Sequence, residues 1–504
     1  MNVVDVLLPR GRDAAKVALV TDDSEHTYGE LARRVDQVAA FLIQAGVRRG
    51  EAVGLLTENS YFALVGYLGV LRAGATAVPL PTNISSAQLG YVVETTRMKV
   101  AFVQAKVLAE AAPQLRTLSR VVVDKPVDAP PGFAPGLCAF EDARAEGTVF
   151  PEVDEAEDLA QLMFTSGSTQ QPRGVMLTHA NVLANTRSIL EVLGLCADDR
   201  VMLVLPLYYS FGASVIHTHL AVGGTVVMDR RFLFPDKVLR RMQEQRCTGF
   251  AGVPSHYQVL LRRSKLGAMS FPDLRWLQQA GGKLAANFVD ELRALFPSVK
   301  LFLMYGSTEA TARIACLPPE RLAEKRDCVG LAIPGVTVRL LDAAGAPVKV
   351  GEVGEIVVEG ANVSRGYFQA PEETAETFRE RRLHTGDLAR ADAEGFLYIV
   401  DRAKDFLKVG GSRTSSKVLE ESLLAFPDIV EAAVLGIPDD TLGEAVAAFV
   451  VPRDPEDVSV VPRLLAFVAE RMPGHLVPKV VRTLPALPKN NAGKVMKLAL
   501  RGLL

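Results

Sequence analysis

At 504 residues the chain exceeds what one hydrophobic core usually organises, and with 49% apolar residues it can fill large buried cores, so two or more domains are expected. Acidic and basic residues nearly cancel to a formal charge of −2 with no long run of one sign, which argues against nucleic acid or an anionic membrane as the primary partner. Five cysteines (Cys138, Cys196, Cys247, Cys316, Cys328), widely spaced and with no Cys-x-x-Cys pair, read as reduced thiols of a cytoplasmic protein. The N-terminal residues lack a charged-then-apolar signal layout. The longest apolar stretch, 62–80, is cut by Arg72 and three glycines, so it reads as a buried helix leading into a strand and no membrane span is expected.

In chain order, Thr27-Tyr28-Gly29-Glu30 fits a capping box, after which Leu31, Val35, Val38, Ala39 and Leu42 recur at helical spacing until Gly46. A short strand follows at 52–57. The strand, helix, strand rhythm repeats through 62–74 and 75–80, then through 87–96 and 100–104, and ends at 121–124. Such alternation predicts a parallel sheet covered by helices. Residues 125–136, rich in Pro and Ala, read as an exposed connection.

Residues 162–174 read Leu-Met-Phe-Thr-Ser-Gly-Ser-Thr-Gln-Gln-Pro-Arg-Gly, a strand running into a phosphate-type loop. Thr165, Ser166, Ser168 and Thr169 offer hydroxyl and backbone donors, Gly167 lets the main chain approach an anion, and Arg173 supplies a permanent positive charge. A polyphosphate suits these groups. Taken alone, the string fits a Ser/Thr/Gly surface loop equally well. No Gly-Lys-Ser/Thr ends it, so it is not a Walker loop.

A helix is expected at 180–193, and then a second alternating block with strands at 201–205, 225–228 and 249–253 and helices near 235–245 and 286–295. Two such blocks imply two sheets in one large N-terminal unit. From about residue 336 short alternating strands (336–341, 354–359, 395–400) separated by turns suggest a smaller β element. Beyond the charged knot 401–405, helix at 416–425, strands at 429–436 and 445–451 and helix at 462–471 predict a C-terminal α+β domain of about 100 residues. The fold class is therefore α/β: an N-terminal domain over 1–401 and a small α+β domain over 402–504.

Further polar groups are spread along this frame. Tyr305, Gly306, Ser307, Thr308 and Glu309 follow an apolar strand, where open α/β sheets bind ligands. A carboxylate there suits Mg²⁺ on a nucleotide, and it equally suits a helix N-terminus. His384-Thr385-Gly386-Asp387 reads as a polar turn whose Asp387 either accepts from ribose hydroxyls or stabilises the turn. Arg402 and Lys404 fit a solvated charged turn, and Lys494, behind Gly493, fits a surface loop.

Taken together and in this order, Thr-Ser-Gly-Ser-Thr, Tyr-Gly-Ser-Thr-Glu, Thr-Gly-Asp, Asp-Arg-x-Lys-Asp and Gly-Lys resemble the adenylate-forming superfamily of acyl-CoA synthetases, luciferase-like enzymes and peptide-synthetase adenylation domains. Ala77 to Leu80, Gly281-Gly282, Gly354-Glu355-Ile356 and Arg365-Gly366-Tyr367 extend the resemblance over nearly the whole chain. It implies that a carboxylic acid is activated with Mg-ATP to an acyl-adenylate, with release of pyrophosphate, and then passed to a thiol such as coenzyme A or carrier-protein pantetheine. By position, residues 165–169 and Arg173 would cradle the β- and γ-phosphates, and Gly281, Gly282 and Tyr305 would flank adenine. Glu309 would meet Mg²⁺, Asp387 and Arg402 would hold the ribose, and Lys494 would bridge carboxylate and α-phosphate oxygens. Lys404 falls at the family's hinge, about which a mobile C-terminal domain swings. The acyl pocket would lie beside Tyr208, Tyr209, Phe211 and Gly212, with Val253 and Ala280 opposite. Those residues suit an aliphatic or aromatic acid, and no carboxylate there suits an α-amino group.

The sequence departs from the family pattern at four places. Gln170 replaces a glycine; if that position needs positive φ, the side chain costs on the order of 1 kcal/mol, and weaker ATP binding is expected. Arg173 replaces lysine and keeps the charge as a fork. Tyr209 stands where many members have histidine. Ser416 and Val418 replace the proline and glutamate common near the thiol tunnel. Two alternatives follow: an adenylating ligase that loads a carrier protein or an amine, or a catalytically weak nucleotide-binding relative.

Overall fold

The computed structural model describes residues 1–165, 171–402, 406–409, 412–439, 442–489 and 495–504. Among them the strands form four sheets. Seven strands make the first, ordered Gly136–Ala139, Arg120–Val123, Val100–Val103, Ala52–Leu56, Thr76–Leu80, Leu159–Thr165 and Arg173–Thr178. All neighbours run parallel except the last pair, an antiparallel hairpin. The expected helix and strand inside 62–80 are Tyr61–Arg72 and Thr76–Leu80; from Phe62 to Leu71 every residue of the helix is buried, and so is the whole strand, because both faces of a parallel sheet are covered. Among the described residues, no helix is long and apolar enough to cross a membrane.

The second sheet has nine strands and is built on Lys300–Tyr305, Trp276–Gln279, Gly249–Gly252, Arg200–Leu203 and Thr225–Met228. Two strands that periodicity did not flag, Val17–Val20 and Glu25–Thr27, complete its far edge, with Val17–Val20 lying parallel to Thr225–Met228. They are too short to show an alternation. One apolar cluster joins the two sheets through the capping-box helix Tyr28–Gln44 and the helices Tyr61–Arg72, His179–Leu193 and Ser210–Val222. The β element is a five-stranded antiparallel sheet containing Val336–Leu341, Val353–Gly360, Arg382–Ala391 and Leu397–Arg402.

The fourth sheet is formed only by C-terminal strands: Ser412–Ser415, Phe406–Val409, Gly443–Pro452, Ile429–Asp439 and Val480–Thr483. It packs on the N-terminal unit through apolar residues that include Tyr257, Leu260, Phe288, Leu423 and Leu424. The polar contacts across this seam are few. Lys283 pairs with Glu421 at 2.7 Å, Asn287 Nδ2 donates to the Leu424 carbonyl at 3.1 Å, and Arg263 donates to the Pro452 carbonyl at 2.9 Å.

Candidate active site

The residues that flank the phosphate-type segment are the facing ends of two antiparallel strands. Thr165 ends one strand, and Arg173 opens the return strand directly opposite it, ahead of the apolar run Gly174-Val175-Met176-Leu177, which was not flagged as a strand. Thr165 Oγ1 reaches the Arg173 carbonyl at 3.5 Å. Ser166, Gly167, Ser168, Thr169 and Gln170 lie outside the described residues.

A strap from the β element closes over this hairpin. Gly366 accepts from the Met176 amide at 3.0 Å, and the amides of Arg365 and Phe368 donate to Met176 and Gly174. Tyr367 is thereby fixed over the site. The Arg173 guanidinium lies 5.4 Å from its ring centre, and its hydroxyl donates to Glu309 Oε1 at 3.0 Å. Among the described residues, Arg173 Nε is buried without a hydrogen-bond partner. Burial, and then the Glu309 charge, hold the Tyr367 hydroxyl far above its ordinary pKa, so it stays a donor. Glu309 sits on a single 3₁₀ turn, Thr308–Ala310, and not at the start of a long helix.

Four residues earlier, Tyr305 Oη donates to Asp387 Oδ2 at 2.6 Å. The sequence reading made His384–Asp387 a turn, but these residues lie inside the strand Arg382–Ala391, with Asp387 paired to Arg402 of the next strand. Gly386 (φ +70°) and an irregular register against Val353–Gly360 put a bulge there. Glu355 anchors it, holding His384 Nδ1 and the Gly386 amide at 3.0 Å each. A bulge and a turn share the same glycine signal, which is why the residues misled. Arg402 is described only as backbone; Lys404 and Lys494 lie outside the described residues. The ends of the segment carrying Lys494 are tied together by a bridge between Lys489 and Val495. Lys489 Nζ pairs with Glu431 at 2.8 Å, and in the N-terminal unit the pKa of His256 is lowered by burial and then by the Lys489 charge.

The expected acyl wall is contiguous. Phe211, Val253 and Ala280 are buried in one cluster with Met304, and Tyr209 packs against it. A Cβ on Gly281 would stand 3.0 Å from both Tyr209 Oη and Val253 Cγ1, so the glycine pair, Tyr209 and Val253 share one space. A Cβ on Gly212 would collide with the Pro206 carbonyl at 2.1 Å, so the chain turns there only with glycine. Gly282 accepts from Gln279 Nε2 at 2.7 Å. Thr308 and Ser210 hydroxyls meet at 3.2 Å and join this wall to the Glu309 turn. The Tyr208 hydroxyl is pushed up to about 12 by burial and then by Glu58. Sequence reasoning missed Arg313, which is buried against Phe211; a lone arginine in Thr-Ala-Arg-Ile-Ala carries no motif.

Two family models cover most of the chain: AMP-binding enzyme over residues 10–368 and AMP-binding enzyme C-terminal domain over residues 418–494. The chain belongs to the AMP-binding enzyme family. Its relatives include a feruloyl-CoA synthase of Amycolatopsis sp, 33% identical over 94% of this chain and 92% of that protein. Among solved structures, the anthranilate CoA ligase AuaEII in complex with anthranoyl-AMP superposes with a TM-score of 0.91 at 26% identity, covering 100% of this chain and 97% of that one. The amide bond synthetase McbA from Marinactinospora thermotolerans superposes with a TM-score of 0.86 at 28% identity, covering 99% of each chain. The two-sheet body, β element and smaller α+β unit read from the sequence are this family's architecture.

The chemistry of the site suits a nucleotide. It offers one arginine, the carboxylates of Glu309 and Asp387 and the hydroxyls of Tyr305 and Tyr367. Among the described residues no group of three or more His, Cys, Asp or Glu converges to hold a metal ion by itself. A Mg²⁺ ion at Glu309 would therefore take most of its ligands from phosphate oxygens, its usual manner with nucleotides, and would neutralise phosphate charge.

Proposed function

We propose that this protein is an ATP-dependent acid–thiol ligase: it activates a carboxylic acid to an acyl-adenylate with release of pyrophosphate and passes the acyl group to coenzyme A. The observation that carries this reading is the continuous line of contacts from Arg173 through Tyr367 to Glu309, with Tyr305, four residues before Glu309, bonded to Asp387, and the apolar wall beside it. A polyphosphate, a ribose and an acyl group each find their chemistry along that line.

Residues 165–169 and Arg173 hold the β- and γ-phosphates, Gly306, Ser307 and Thr308 line the α-phosphate end, and Tyr305 with the Gly281-Gly282 segment flanks adenine. Asp387 and Arg402 hold the ribose. The acid lies along Tyr208, Tyr209, Phe211, Gly212, Val253 and Ala280. When its carboxylate attacks the α-phosphorus, two anions meet, and preorganised cations are the main catalytic resource. Lys494 is the cation for that step. The nearness of Lys489 to His256 supports this role, because Lys489 precedes the segment that carries Lys494 and its charge acts on the helix Pro254–Arg263, next to Val253. We place the domain boundary after residue 401 and the hinge at Lys404, and we locate the enzyme in the cytoplasm.

The test is acid-dependent ATP–pyrophosphate exchange over fatty, aryl and amino acids with Lys494→Ala as control. Exchange with fatty or aryl acids that is lost in the variant supports adenylation; ATP binding without exchange for any acid counts against it and favours the catalytically weak relative. One observation favours a second acceptor. Ser416 is buried and accepts from Lys497 Nζ at 2.7 Å, a bond to a hydroxyl that the proline common there lacks. Together with the likeness to an amide bond synthetase, this makes an amine or a carrier-protein thiol the alternative acceptor. Thioester formation that depends on coenzyme A decides between them.

A further inference from the structure

The apolar wall holds one charge. Arg313 is 1% exposed, and its position is fixed from two sides, since its carbonyl accepts from Asn185 Nδ2 at 2.9 Å and from Asn362 Nδ2 at 3.1 Å. The guanidinium lies over Phe211, with Cζ 3.8 Å from the ring centre, and Nε faces Met304 Sδ at 3.2 Å. Nη1 donates to the Ala312 carbonyl at 3.3 Å. Nη2 is buried without a hydrogen-bond partner, and among the described residues no carboxylate lies within ion-pair distance. The titratable groups that face it are Tyr209 and Cys316, both held neutral by burial.

A buried guanidinium without a counter-charge is costly, and aromatic stacking offsets only part of that cost. Burial lowers its pKa to about 10, which still leaves it charged at neutral pH. Phe211, Met304 and Tyr209 are the same residues that wall the acyl space, so the uncompensated charge belongs to the substrate's surroundings. A planar fork with an unused donor matches a carboxylate in geometry and in sign.

We propose that Arg313 receives a second carboxylate at the far end of the acid, so that the preferred substrates are dicarboxylic acids activated at one end. The inference rests on the adenylation reading above and names its substrate class. The near carboxylate forms the bond to phosphorus while the far one stays ionised on Arg313. A monocarboxylic acid of the same skeleton closes the pocket with Arg313 unpaired and is penalised.

The experiment uses the full-length enzyme in ATP–pyrophosphate exchange with matched pairs: straight-chain acids against their α,ω-diacids, and an arylpropanoic acid against its ring-carboxylated counterpart. The wild type is expected to favour the diacid of at least one pair by roughly 100-fold or more in kcat/KM. Arg313→Met is expected to bring that ratio close to one, with Arg313→Lys in between. Each ratio is taken within one preparation, so a poorly folding variant does not distort it. A wild type that favours the monoacid in every pair overturns the proposal, whatever the variants do. So does a diacid preference that survives in Arg313→Met. Exchange with monoacids alone leaves adenylation standing and removes only the role of Arg313; absence of exchange with every acid removes both.

Discussion

At the scale of single residues the consequences are chemical and sharp. Lys494→Ala is expected to lower exchange by about 10²–10³-fold, the usual effect of losing one preorganised charge donor. Its thermal unfolding should stay close to wild type, and a large drop in melting temperature would instead assign Lys494 a structural role. Gln170→Gly is expected to lower the Michaelis constant for ATP several-fold; an unchanged value would show that glutamine suits the backbone there. Three buried histidines give a pH signature. His179, His217 and His219 are pushed down to about 4, chiefly by burial, and His179 Nδ1 accepts from the Val3 amide, which a proton would prevent. Their folded pKa values lie below the unfolded 6.5, so the unfolded chain binds protons that the folded one excludes between pH 6.5 and about 4. Stability is full above pH 6.5 and falls through that window, by about 1.4 kcal/mol per pH unit for each group. Urea midpoints should drop clearly from pH 7 to pH 5, and a flat profile would contradict this. Asp199 and Asp229, with pKa values lowered by hydrogen bonds and arginine, act with the same sign but only at lower pH.

At the scale of elements, legibility followed how far each signal was local. The helices Tyr28–Gln44, with its capping box, and Ala286–Leu295 stood out because such local signals lie within one short window. The return strand after Arg173 and the bulge at Gly386 did not, because a hairpin partner and a register shift are set by residues far away in the chain. The motif order located Glu309 and Asp387. What each touches, Tyr367 and Tyr305 respectively, depends on two different sheets meeting and could not be read from either stretch alone. Arg313 was hidden for the same reason, since nothing in its neighbours reports that the side chain turns inward onto Phe211. The anchoring of the bulge by Glu355 can be tested. Glu355→Ala should loosen the segment that presents Asp387, raising the Michaelis constant for ATP several-fold while thioester formation from supplied acyl-adenylate changes less. Equal losses in both steps would mean a general destabilisation.

At the scale of the molecule, the hinge proposed at Lys404 makes the seam between the two units the place where a shift between half-reactions can be tested. Lys283–Glu421 is partly exposed on both sides, and pairs of this kind contribute roughly 0.2–1 kcal/mol. Glu421→Gln should therefore weaken the docking of the C-terminal unit on the N-terminal one, lowering exchange by about 2–5-fold without lowering thioester formation from acyl-adenylate. A proportional loss in both steps would mean that the pair does not bias domain position.

No strand of the C-terminal sheet joins a ladder of the N-terminal sheets, so their parting breaks only a handful of side-chain contacts and one apolar seam. In binding terms, the C-terminal unit behaves as a weak ligand of the body that never diffuses away. A connection a few residues long keeps its local concentration in the millimolar range. A docking surface of modest strength is then enough to hold the unit, and the swing about the hinge proposed above requires it to be no stronger.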